Sequence, residues 1–168
     1  MYCQPRKIAM PNRVILTTLD EVREASLQVA LHAQRLLTMY TQDLESVVYD
    51  QPMFLETVKK LVLARSYAKV RVLVANPGRA VYDSSKFIGL ARRITSHIEV
   101  RQVHNDYRSN HCAFLIADDR ALVYRLQASR WDGIAEMDDP LVARRYLNFF
   151  DEIWVASAPD AETRAMHL

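Results

Sequence analysis

Five side chains able to bind, orient or transfer a proton lie close together in this 168-residue chain: His104, Asp106, Tyr107, His111 and, seven residues beyond the last, Asp118. The first four belong to one polar segment, HNDYRSNH. Two imidazoles and a carboxylate so spaced could ligate a divalent metal, or supply a general base with Asp106 as its partner. The competing reading is a loop whose polar side chains satisfy nearby backbone groups. Arg125 follows on a short apolar run, and the fragment Ser129-Arg130-Trp131-Asp132-Gly133 sets a guanidinium beside an indole. Arg130 and Trp131 could stack on a base or anchor a partner. They read equally as a plain surface turn.

The elements that must position these residues are legible around them. Ala113–Ala117 and Leu122–Leu126 are apolar runs joined by Asp118-Asp119-Arg120, a hairpin pattern. The first run is apolar enough for a buried central strand. His111 therefore stands just ahead of a strand, and Asp118 in the turn that follows it.

Upstream, Val14–Thr17 reads as a short strand. Thr18 and Glu21 fit a capping box opening a helix to about Arg35, with His32 on its boundary. Leu36–Thr41 is a strand and Gln42–Gln51 an acidic loop. A helix with Pro52 in its first turn and a cap near Asp50 presents Phe54, Leu55, Val58, Leu61 and Val62 on one face. Val70–Ala75 is the clearest strand. Ser84 can cap a third helix that turns Phe87, Leu90, Ala91 and Ile94 inward. Ile98–Val103 alternates as a half-buried strand does. Asp139-Pro140 starts a helix whose Val142, Tyr146, Phe149, Phe150, Ile153 and Trp154 can cover one side of a sheet. Strands alternating with helices, with one hairpin, predict an α/β fold with a mixed β-sheet layered with helices. Residues 1–13 read as an N-terminal arm, 14–156 as the domain and 157–168 as a tail.

Composition narrows the function classes. With 50% hydrophobic and 25% charged residues, the chain can build a core of its own. No apolar run nears the roughly 18 residues a membrane span needs, and residues 1–13 hold no signal-peptide core. Cys3 and Cys112 make neither a disulfide framework nor a zinc site and read as free thiols. A cytoplasmic location is the expectation. Three glycines leave no glycine-rich phosphate loop. The net charge of +2 is unevenly distributed: −2 over residues 1–58, +8 over 59–101 and −4 over 102–168. The basic middle, with Lys69, Lys86, Arg92 and Arg93, could attract a polyanion such as nucleic acid, or be the wet face of helices.

The run from His111 to Asp118 resembles the H-x-K-x4-D motif of the phospholipase D-like superfamily, with Ala113 in the lysine's place. The order of elements from Leu36 to Trp154 is similar to one half of such a protein. More narrowly, it resembles short bacterial domains that occur alone or beside acetyltransferase domains, so an acetyltransferase-type partner is one expectation. The resemblance implies His111 as the nucleophile toward phosphorus and Asp118 as its orienting carboxylate. It places Arg125-Leu126 where the family has a Gly-Ser pair, and Ala128 where it has asparagine.

With several transition-state donors absent, each ordinarily worth about 10²–10³ in rate, the expected role is a catalytically degenerate binding or assembly module. Its ligand would contain phosphate or be a partner protein, with His104, Asp106, Tyr107, Arg125 and Arg130 as candidate binding residues. The alternative is a small phosphodiesterase or nuclease in which Arg125 or a neighbouring basic residue replaces the lysine. No cofactor and no metal is implied. Single-motif members of the family pair two copies across the motif face, so a homodimer is the expected assembly.

Overall fold

The computed structural model describes residues 12–78 and 85–159. Expectations for Cys3, Ser84, the arm up to residue 11 and the tail from 160 lie outside those residues. Seven strands form one sheet: β1 Arg13–Leu16, β2 Leu36–Thr41, β3 Lys69–Val74, β4 Ile98–Gln102, β5 Ala113–Ala117, β6 Ala121–Arg125 and β7 Gly133–Glu136. Their spatial order is β1-β7-β6-β5-β2-β3-β4. β2, β3 and β4 run parallel, as helical crossovers require, and every other pairing is antiparallel.

The two-residue period of the strands sorts their side chains into two cores. Leu37, Met39, Val70, Val72, Leu115 and Val123 face one layer made by α1 Leu19–His32, α2 Ser46–Tyr49, α3 Pro52–Ala64 and α4 Lys86–Arg93. Tyr40, Leu73, Phe114, Ile116 and Leu122 face the other, where Ala143, Phe150 and Ile153 of α5 Pro140–Ala156 pack. β5 is buried along both faces, as its continuous apolar run predicts.

Helix boundaries follow from caps, and several differ from the sequence reading. Thr18 accepts the Glu21 N–H at 3.2 Å, but Glu21 reaches back to the Thr17 N–H instead of closing on Thr18. α1 stops at His32 because Ala33 is already extended. Asp50 does not cap α3, whose N-cap is Gln51. Its carboxylate instead takes the Lys86 and Phe87 N–H groups at 3.0 and 3.1 Å, while Ser85 caps α4 through Ile88. One acid thus ties the acidic loop to the start of α4. Asp139 caps α5 as expected, accepting the Val142 N–H at 3.1 Å.

Two elements escaped the sequence reading. α2 folds inside the segment read as a loop. β7 begins at Gly133, assigned to a turn, because a strand can approach Arg125 closely only there: a Cβ would lie 2.6 Å from Arg125 Cγ and 2.7 Å from the Tyr124 carbonyl oxygen.

Candidate functional site

The carboxyl ends of β2 and β3, the start of β5 and the chain leaving β6 frame a cleft of about 540 Å³. A crevice beyond the carboxyl ends of parallel strands is where an open α/β sheet ordinarily holds its ligand. The cleft is lined by Gln42, Asp43, Glu45 and Ser46 after β2, Asn76 after β3, His111 before β5, and Gln127 to Ser129 with Trp131 after β6.

His111 is exposed at this cleft, and its carbonyl takes the Ala128 N–H at 2.7 Å. Asp118 stands at the far end of β5, some seven extended residues or about 20 Å away. There its carboxylate receives the N–H groups of Gln34, Arg35 and Leu36 at 3.0, 2.8 and 3.0 Å. This pins the α1–β2 connection to the hairpin. The residue itself takes a left-handed φ of 53°, which aspartate tolerates. The structure therefore does not bring Asp118 to the imidazole it was expected to orient.

Arg125 is brought in. Strand register sets it directly opposite Ala113, so both side chains leave the sheet on the face that Leu115 and Val123 share. The guanidinium thus occupies the neighbourhood of the position where the resemblance calls for lysine. It is nonetheless sealed, with 2% of its side chain exposed. One terminal nitrogen donates to the Ala128 and Arg130 carbonyls at 2.8 and 2.9 Å, the other to Glu45 Oε1, and Trp131 lies under the guanidinium at 5.1 Å.

Glu45 reaches that partner through a strained turn. Leu44 and Glu45 have φ of 69° and 30°, a conformation that costs on the order of 1–3 kcal/mol per residue. Two short caps hold it: Thr41 Oγ1 accepts the Leu44 N–H, and Asp43 Oδ1 accepts the Glu45 N–H, both at 3.0 Å. Burial raises the Glu45 carboxyl above the ordinary carboxylate range; attraction to Arg125 opposes the shift and Asp43 adds to it. Its second oxygen, Oε2, is buried with no hydrogen-bond partner, as is Oε1 of Gln42. The Gln42 amide nitrogen is occupied, donating to the Asn110 and Cys112 carbonyls at 3.0 and 2.9 Å.

The other candidates lie elsewhere. His104 Nδ1 accepts the Asp106 N–H at 3.2 Å and sits 3.6 Å from the Asp106 carboxylate, capping a single 3₁₀ turn. Tyr107 donates its hydroxyl to Glu152 on α5 at 3.1 Å. These three sit with α5 and Ser157 and do not line the cleft. Among the described residues, no group of three or more His, Cys, Asp or Glu is placed to hold a metal. Arg130 turns its side chain outward to Asp132 at 2.8 Å and contributes only its carbonyl to Arg125.

Glu45 and Gln42 were missed by the sequence reading, yet a signal existed. Arg125 shares the parity of Ala121 and Val123, and an arginine facing a core demands a carboxylate.

Comparison with solved structures assigns this architecture to the phospholipase D-like fold. NucT from Helicobacter pylori superposes with a TM-score of 0.62 at 11% identity, over 88% of this chain and 98% of that one. Nuc from Salmonella typhimurium, a phospholipase D family member, gives 0.57 at 16%, with the same coverages. TrmBL2, an archaeal chromatin protein with a novel mode of DNA binding, gives 0.66 at 14% over 91% of this chain. The chain spans only 55% of TrmBL2. No curated protein sequence matches significantly. The family described as "Domain of unknown function (DUF7931)" matches residues 18–166. Among the described residues, no helix is long and apolar enough to cross a membrane.

Proposed function

We propose that this chain, which belongs to the DUF7931 family, is a phospholipase D-like module that binds and assembles without hydrolysing phosphodiesters. One observation carries the reading. Arg125, opposite Ala113, is bonded to Glu45 and two carbonyls and is only 2% exposed, so it is sealed away from a phosphoryl oxygen in the cleft. Among the described residues, no lysine or arginine lines the cleft. A nucleophilic imidazole without a neutralising cation faces an anionic diester unaided. The rival phosphodiesterase reading needs Arg125 released from Glu45, which would leave a buried carboxylate unpaired. Steady-state assay with bis(p-nitrophenyl) phosphate tests the proposal: no turnover is expected, and turnover abolished by His111→Ala would refute it.

Assembly has its own support. β7 and β1 continue the sheet beyond β6, and Ile15 and Leu126 stand 72% and 71% exposed at this end. Ile15, Ile134 and Tyr124 share one face by register. A second copy covering this strip would make a homodimer away from the motif face where pairing was expected, and light scattering across a concentration series should return twice the chain mass.

Nucleic acid is a second reading, favoured by Lys59 and Lys60 on α3 and Lys86 and Arg93 on α4. All four are exposed and make no ion pair among the described residues. Arg71 and Arg101 do not add to such a surface, being held beneath α5 by Asp151, Trp154 and Glu99. The fold shared with a DNA-binding chromatin protein agrees with this reading. Duplex DNA should then bind weakly, with affinity falling steeply as salt rises.

A further inference from the structure

Loss of the phosphate-neutralising set leaves the cleft with a different chemistry. The lining presents acceptors whose needs the fold does not meet. Glu45 Oε2 belongs to a side chain only 8% exposed, and neither it nor Gln42 Oε1 receives a hydrogen bond. Buried acceptors are ordinarily satisfied, and each one left open costs free energy that a donor would recover. Arg125 bonds neither of them, donating instead to Glu45 Oε1 and two carbonyls. Asp43 adds a second carboxylate to the lining.

We infer that the cleft receives the ammonium or guanidinium head of a small organic cation, donated to Glu45 Oε2 and Gln42 Oε1. The volume of about 540 Å³ falls within the range of small-molecule sites. Trp131 lines the cleft and gives a cation an aromatic surface. The strained Leu44–Glu45 turn holds that carboxylate in place beside the cleft before any ligand arrives. The inference rests on the non-hydrolytic reading above, since a phosphodiester and a cation call for opposite charges at one site.

Calorimetric titration of the full chain at pH 7.5 tests it, with agmatine as the free cation, a glycyl-arginyl-glycine amide as the same head on a peptide, and inorganic phosphate as the anion. Agmatine or the peptide should bind and phosphate should not, the tighter of the two identifying a metabolite or a partner's side chain as the source. Ser46→Phe fills the mouth from an exposed position and leaves the ion pair alone, so it should weaken binding at least tenfold with an unchanged melting temperature. Gln42→Met, checked for folding by circular dichroism, should weaken it as well. Binding of neither cation, or binding undiminished in a folded Ser46→Phe protein, would overturn the inference while leaving the non-hydrolytic reading intact. Phosphate binding that His111→Ala removes would overturn the inference too, whereas only His111-dependent turnover of bis(p-nitrophenyl) phosphate would overturn the reading it rests on.

Discussion

The two ends of β5 carry the same kind of residue and put it to opposite uses. At the Asp118 end a carboxylate is filled by backbone donors from Gln34, Arg35 and Leu36, and nothing remains for a ligand. At the His111 end a carboxylate from Glu45 is buried with one oxygen paired and the other open, beside an imidazole in solvent. Satisfied polar groups hold a fold together, and unsatisfied ones at a cleft mark where a fold is prepared to bind. The aspartate of the H-x6-D pattern is thus a structural latch in this chain. At the other end the carboxylate of Glu45 is paired with the buried Arg125.

Breaking the pair that defines the His111 end should have the largest effect. Arg125→Leu leaves Glu45 buried without its cation and frees the Ala128 and Arg130 carbonyls. A destabilisation of about 3–5 kcal/mol is expected, read from urea unfolding. A loss below about 1 kcal/mol would mean that Arg125 is not sealed and could move to meet phosphate.

Asp118→Ala tests the latch. Three backbone N–H groups lose a charged acceptor at the α1–β2 connection, for an expected loss of about 2–3 kcal/mol. His111→Ala, at the exposed end, should stay within about 0.5 kcal/mol of wild type. Equal losses at the two positions would erase the contrast between the ends.

Cys112 sharpens the picture where β5 begins. Burial pushes its thiol up to about 11, so the folded state favours the protonated form. Its contribution to stability is whole below the ordinary thiol range near 8.5 and is lost as pH rises through about 11. Alkylation by iodoacetamide, followed at the Cys112 peptide, should therefore be slow at pH 8 and accelerate up to about pH 11. Rapid modification at pH 8 would show this end open to solvent.

Much of the fold was legible because it rests on local signals. The apolar run Ala113–Ala117, the alternation before Val103 and the Asp139-Pro140 start each state their own structure. β7 was not legible, since Gly133-Ile134-Ala135-Glu136 has no run of its own and becomes a strand only by pairing with β6 and β1. The site was legible only in half. His111 and Arg125 could be named from spacing, but Glu45 meets Arg125 across 80 positions, through a left-handed turn that no glycine announces. Asp50 escaped for the same reason, its true partners lying at residues 86 and 87.

The most direct test of the central claim looks for the first chemical step alone. If His111 attacks phosphorus, mixing protein at high concentration with bis(p-nitrophenyl) phosphate must release p-nitrophenolate stoichiometrically, even if the intermediate never hydrolyses. The account predicts no burst in stopped-flow absorbance for wild type or for His111→Ala. A burst approaching one equivalent in wild type, absent in His111→Ala, would contradict it.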